Sequence, residues 1–134
     1  MTQVIRLRCE YLVDPLGIDE RAPRLSWELA TDRRGARQTH YRVRVASSAE
    51  KLARGEGDRW DSGRVKSART THVVYAGTPL RSREVCHWNV EVTDETDALV
   101  RSVPATWTMG LLEPGDWSAR WIAADPEILR RDPQ

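Results

Sequence analysis

In the ten residues Val85–Asp94 (VCHWNVEVTD), apolar and polar side chains alternate from Cys86 to Thr93. Cys86, Trp88, Val90 and Val92 fall on one side, and His87, Asn89, Glu91 and Thr93 on the other. A period of two is that of an extended chain with one face in a core and the other in water. A strand that buries a tryptophan needs an opposing sheet, so this stretch commits the chain to an all-β architecture.

The rest of the chain supplies strands of the same kind. Ile5, Leu7, Cys9 and Tyr11 alternate with Arg6, Arg8 and Glu10, which predicts a first strand with those four on its buried face. Asp14-Pro15-Leu16-Gly17 follows, with Pro and Gly where a type I turn needs a fixed φ and steric freedom. Leu25, Trp27 and Leu29 then share a face behind Pro23, and Tyr41, Val43 and Val45 share one around Arg42 and Arg44. Ser47 and Glu50 have the spacing of a capping box, so a short helical connector is expected to run to Arg54 and stop at Gly55. Trp60-Asp61-Ser62-Gly63 is expected as a turn, with Val65 resuming as a short edge strand and residues 70–76 as a further extended piece. Asp94-Glu95-Thr96-Asp97 makes an acidic hairpin connection, and residues 102–109 form the last strand, with Val103, Ala105, Trp107 and Met109 inward. About seven strands separated by turn signals predict a two-sheet sandwich.

With 134 residues the chain is long enough to bury a core without cross-links. Its 21 basic and 20 acidic residues leave a net charge of +1, so no bulk field draws nucleic acid or an anionic membrane, and neither is expected as a partner. Lys51 and Lys66 are the only lysines; the arginines are interspersed with acids instead of forming a phosphate-binding patch. Residues 1–11 lack the uninterrupted apolar core of a secretory signal, and no stretch approaches a bilayer span, so a cytoplasmic chain is expected. Cys9 and Cys86 fall on apolar faces of different strands and are expected as buried free thiols.

Several runs, taken in order, carry a specific resemblance. Leu25-Ser26-Trp27, the run YRVRVASS at residues 41–48, Trp60-Asp61-Ser62-Gly63 and Trp88-Asn89-Val90-Glu91-Val92 together are similar to a fibronectin type III domain. More narrowly, the chain resembles the module that opens bacterial α-L-rhamnosidases, through Arg8-Cys9-Glu10-Tyr11 and Pro15-Leu16-Gly17-Ile18 at its start. The exit agrees, with Trp107-Thr108-Met109-Gly110-Leu111-Leu112 followed by Asp116-Trp117-Ser118-Ala119-Arg120-Trp121-Ile122. The resemblance covers residues 7–122 and implies a seven-stranded fibronectin type III or immunoglobulin-like sandwich over residues 1–112. It makes residues 113–134 a linker and the truncated start of a second β-domain, with a frayed tail. The implied role is a non-catalytic accessory domain that packs against the remaining domains of an enzyme cleaving terminal α-L-rhamnose, whose catalytic carboxylates would lie beyond this chain. In that register Leu80 matches, but Cys86 stands where such domains place a tyrosine that bonds back to the preceding loop. A missing corner bond would cost about 1 kcal/mol.

The residues themselves offer little chemistry. Glycoside hydrolysis needs two carboxyl groups facing each other across a cleft, one of them kept protonated, whereas the carboxylates here fall on solvent faces or in loops. Asp94, Glu95 and Asp97 form a dense acidic cluster, expected as a solvated hairpin in preference to a calcium site. His40 and His87 are expected outward on neighbouring strands, close enough to supply two metal ligands, with His72 on the other sheet and no outward cysteine to complete a set. No glycine loop cradles a phosphate, and no cofactor is implied. Trp27, Trp88 and Trp107 are expected in the core, which leaves Trp60, Trp117 and Trp121 open to carbohydrate or interdomain contact. The alternative function is therefore a carbohydrate-binding module for rhamnose-containing glycans centred on Trp60, and burial of that ring would favour the accessory role.

Overall fold

The computed structural model describes residues 2–112. At the centre of the larger sheet runs β7 (Val85–Asp94), with β3 (Gln38–Ala46) on one side and β8 (Leu99–Arg101) and β9 (Ala105–Thr108) end to end on the other. Two short strands, β4 (Trp60–Asp61) and β5 (Val65–Lys66), pair with the outer side of β3. The smaller sheet orders β1 (Gln3–Cys9), β2 (Arg24–Ala30) and β6 (Val73–Val74). All named pairings are antiparallel. Taking β4 with β5, and β8 with β9, as two interrupted edges gives the seven strand positions of an immunoglobulin-like sandwich. Among the described residues no helix is long and apolar enough to cross a membrane.

The alternation of β7 drives the packing. Val43 lies opposite Val90 and Val45 opposite Trp88, so β3 and β7 present one continuous apolar face. Leu25 and Trp27 of β2 meet it from the other sheet, and Trp27, Trp88 and Trp107 are all buried as expected. Each such side chain contributes roughly 1.5–3 kcal/mol by leaving water. Gln38 is buried with them, and both ends of its side-chain amide are bonded. Its Oε1 accepts from Trp27 Nε1 at 2.9 Å, and its Nε2 donates to the Ser67 and Arg69 carbonyls at 3.0 and 2.8 Å. Those bonds tie the loop between β5 and β6 to the core without an orphaned polar atom.

Two bulges change which residues face inward. Arg6 adopts φ 53° where the β1–β2 register slips, so Val4, Leu7 and Cys9 point into the core and Ile5 does not. Tyr11, expected inward, is 56% exposed: Cys9 and Leu12 exchange backbone hydrogen bonds around Glu10 (φ 50°) and Tyr11 (φ 68°), a tight turn that throws the ring outward. The second bulge lies between β8 and β9. Glu91 faces Arg101 while Trp88 faces Ala105, so three steps along β7 span four on its partner, and Val103, expected inward, is ejected to 78% exposure.

Smaller corrections follow from local bonding. The helix α1 (Ala49–Ala53) is capped by Ser48, whose hydroxyl accepts from Lys51 N–H, because Ser47 is engaged by Asp58 at 2.8 and 2.7 Å. Trp60–Asp61 pairs as a strand instead of turning, and only Val73–Val74 of residues 70–76 does so. Cys86 occupies the expected tyrosine place, yet the corner is still bonded: Tyr75 donates its hydroxyl to the Thr78 carbonyl at 2.6 Å, with the Arg59 carbonyl at 3.2 Å as a second acceptor. Tyr75→Phe is expected to lower stability by about 1.5 kcal/mol, read as a urea-midpoint shift at unchanged slope. A loss under about 0.5 kcal/mol would show that the bond contributes nothing net.

Candidate functional site

Of the three tryptophans left open by the sequence, Trp60 is half-buried on β4. Its ring meets Tyr75 edge-on with 5.5 Å between centroids; Tyr75 meets Trp107 at 6.0 Å, and Trp107 meets Trp88 at 6.2 Å. Trp60 is thus the outer end of a stack of rings running into the core. Trp117 and Trp121 lie outside the described residues.

The polar clusters are committed to structure. Asp94 is buried, and its Oδ1 accepts from the Thr96 N–H and hydroxyl and from Ala98 N–H, while Oδ2 pairs with Arg33 at 3.1 Å. Glu95 also pairs with Arg33 and accepts from Arg37 N–H. The acidic cluster is therefore a turn-holding device and not simply a solvated connection. His40 faces Thr93 and His87 faces Ala46, six residues apart along β7, which separates the two histidines by about 20 Å instead of bringing them together. Among the described residues no three His, Cys, Asp or Glu side chains are placed to hold a metal. Cys9 and Cys86 are buried and unpaired, and burial pushes both thiols up to about 12, so neither is a thiolate nucleophile near neutral pH.

On the outer face of the larger sheet, charges alternate in sign. Arg42 grips Asp61 with two bonds of 2.8 and 2.7 Å, Arg44 lies 3.8 Å from Asp61 and 4.0 Å from Glu91, and Arg101 pairs with Glu91 at 3.1 Å. On the other sheet Arg24 holds Glu10 with its guanidinium and its backbone N–H. The Arg24 guanidinium holds the Glu10 carboxyl below the usual carboxylate range, Arg42 does so for Asp61, and the Thr96 hydroxyl for Asp94. None of these three can serve as the protonated acid of a glycosidase. Because their folded pKa values lie below the unfolded ones near 4, their contribution is present above that range and is lost as pH falls through the folded values. The urea midpoint is expected to stay level from pH 7 to about 5 and to fall between about pH 4 and 2. Arg24→Gln and Arg42→Gln should each flatten that acid limb; a midpoint unchanged at about pH 3 would contradict the assignment.

One surface is open and mainly apolar, with charged side chains at its rim. Between β1 and the bulged β8–β9 edge lies an open groove of about 580 Å³, walled by apolar atoms of Ile5, Val13, Val100, Val103 and Ala105. Beside it residues 14–18 cross to the larger sheet: Thr106 N–H donates to Asp14 Oδ1, Thr108 N–H to the Pro15 carbonyl, and Ile18 N–H to the Thr108 carbonyl. Sequence reasoning missed this groove because it placed Val103 in the core.

Residues 4–113 match the family described as Rha78A-like, N-terminal immunoglobulin domain. The chain belongs to this family. Relatives of this N-terminal immunoglobulin domain lie in larger proteins. An α-L-rhamnosidase of Streptomyces avermitilis is 47% identical over 116 residues, which are 86% of this chain and 11% of that protein. One from an Alteromonas species is 38% identical over 117 residues, covering 86% and 13%. The crystal structure of the S. avermitilis α-L-rhamnosidase complexed with L-rhamnose superposes with a TM-score of 0.83 at 42% identity, over 88% of this chain and 11% of that one. The α-L-rhamnosidase of Dictyoglumus thermophilum gives 0.82 at 34%, over 87% and 13%. The domain therefore spans about an eighth or less of the proteins it matches.

Proposed function

We propose that this chain is the non-catalytic N-terminal accessory domain of an α-L-rhamnosidase that releases terminal α-L-rhamnose, with hydrolysis carried by domains outside it. The observation that carries this reading is the match of residues 4–113 to an N-terminal immunoglobulin domain that fills only 11% of a rhamnosidase 47% identical to it. The arginine-held carboxylates and the packing of Trp60 against Tyr75 support a scaffold over a sugar site. Residues 1–112 act as the folding unit, and residues 113–134, with Trp117 and Trp121, form the junction to the next domain. Two buried, unpaired thiols support a reducing, cytoplasmic setting.

The test is a chimera of the S. avermitilis enzyme in which residues 1–112 of this chain replace the matching domain. It is expected to hydrolyse an aryl α-L-rhamnoside and to unfold in one transition; an inactive or separately melting chimera would overturn the reading. The isolated chain should show no change in urea midpoint with L-rhamnose, whereas a ligand at a hundredfold excess over Kd would add about 2.7 kcal/mol and make it a sugar-binding module instead.

A further inference from the structure

We propose that the open groove between β1 and β8–β9 is the face on which a neighbouring domain of the same polypeptide seats, through an apolar surface carrying a carboxylate. This rests on the accessory-domain reading and deepens it by naming the surface and its partner's chemistry.

The apolar display is built, not frayed. Val13, 63% exposed, and Val103, 78% exposed, line the groove; Tyr11, Leu12 and Leu16 stand out from the same loop as Val13 but outside that lining. That loop is pinned at both ends, by the Cys9–Leu12 exchange and by the bonds of residues 14–18 to β9. Glu10, Tyr11 and Asp14 hold positive φ angles of 50, 68 and 44°, a strain that side chains with a Cβ rarely adopt. It is held by Arg24, which binds Glu10 and lies 5.1 Å over the Tyr11 ring, and by His72, 2.7 Å from the Tyr11 hydroxyl. A fold that locks strained backbone in order to present bulky apolar groups to water has a surface waiting for a cover.

Three observations choose the cover. Bulges at Arg6 and at Val103–Pro104 interrupt both edges of the groove, which opposes strand addition and favours a side-chain surface. Arg6, Arg101 and Asp14 on the rim are already engaged, by Glu28, Glu91 and Thr106 N–H, whereas the half-buried Arg8 guanidinium meets no partner among the described residues. An arginine on an apolar wall calls for a carboxylate opposite it. The patch is also small: a free dimer needs about 20–30 residues a side, while a tethered domain, at an effective concentration near mM, associates through far less.

The decisive comparison uses the chimera with Val13→Asp and Val103→Asp together, Arg8→Glu alone, and Val74→Asp as an exposed apolar control outside the groove. In the isolated chain all three should leave the urea midpoint nearly unchanged, since Val13, Val74 and Val103 are exposed and the Arg8 guanidinium has no bond among the described residues to lose. In the chimera, the double variant and Arg8→Glu are expected to speed proteolytic release of the module by more than about tenfold, with Val74→Asp inert, because cleavage tracks the population of the undocked form. If both groove variants release the module no faster than the parent chimera, the docking face is overturned while the accessory reading stands. If the parent chimera itself is inactive, the accessory reading fails first. If instead the isolated chain dimerises and the groove variants abolish this, the occupant is a second copy and the proposal is wrong.

Discussion

Trp88→Ala is expected to remove about 3–5 kcal/mol of stability, a large share of the 5–15 kcal/mol typical of a domain this size. Trp88 is 0% exposed at the middle of β7, with Val45 opposite it on β3 and Ala105 on β9, and its ring meets Trp107 edge-on. Its removal opens a cavity that strands on both sides cannot collapse into, because β3 and β9 are fixed by their ladders to β7 itself. With an m-value near 2 kcal/mol/M, the urea midpoint should fall by about 2 M. Leu99→Ala, on a side chain 63% exposed at the hairpin, should stay within about 0.5 kcal/mol. If the two variants unfold at the same midpoint, β7 is not the organising strand.

That strand was also the most legible part of the chain. Its alternation in sequence and its alternation in burial coincide for Cys86, Trp88, Val90 and Val92, as they do for Leu25 and Trp27 of β2 and for Val43 and Val45 of β3. Central strands have neighbours on both sides, so their register is fixed by the ladder and the inward half of the pattern survives; the other half fails at Asn89 and Thr93, expected in water but buried. The errors concentrate at the edges. In β1 the run Ile5, Leu7, Cys9, Tyr11 is perfectly periodic in sequence, but a bulge at Arg6 and a turn at Glu10–Tyr11 break it in space. An edge strand can absorb an extra residue because one side has no ladder to violate, and nothing in side-chain periodicity records where it does so. Val103 was misplaced for the same reason, with Pro104 beside it as the one local hint.

The candidate surface suffered most from this. The groove lies where β1 and β8–β9 bulge away from regular pairing, and two residues that line it, Ile5 and Val103, are ones whose facing the pattern misassigned. Tryptophans drew attention because of their chemistry, yet Trp60 packs on Tyr75 while valines and three arginines line the opening. Docking faces between tethered domains need few aromatic anchors, and composition is a poor guide to them.

The second large effect comes from a residue with no sequence signal at all. Gly77 looks like any loop glycine, but its backbone is not in the left-handed region that glycine is usually needed for. It is required for space. A Cβ there would lie inside the envelope of the Arg59 carbonyl oxygen, 2.5 Å from Trp60 Cβ and 2.7 Å from the Tyr75 hydroxyl. Two of those three are backbone or near-backbone atoms of β4's approach, held by the Thr78 N–H to Arg59 carbonyl bond at 2.8 Å, so the clash cannot be relieved by a side-chain turn. Gly77→Ala is expected to destabilise by about 3 kcal/mol or more, at the upper end for overpacking. Gly35→Ala, at φ 78° with open space around it, carries backbone strain alone and should cost about 1 kcal/mol. A double-mutant cycle locates the damage: if the methyl expels the Tyr75 hydroxyl from its corner, Tyr75→Phe should cost almost nothing further in the Gly77→Ala background. Strict additivity of the two would mean that the corner survives and that the strain is taken up at Trp60, loosening the outer end of the ring stack instead.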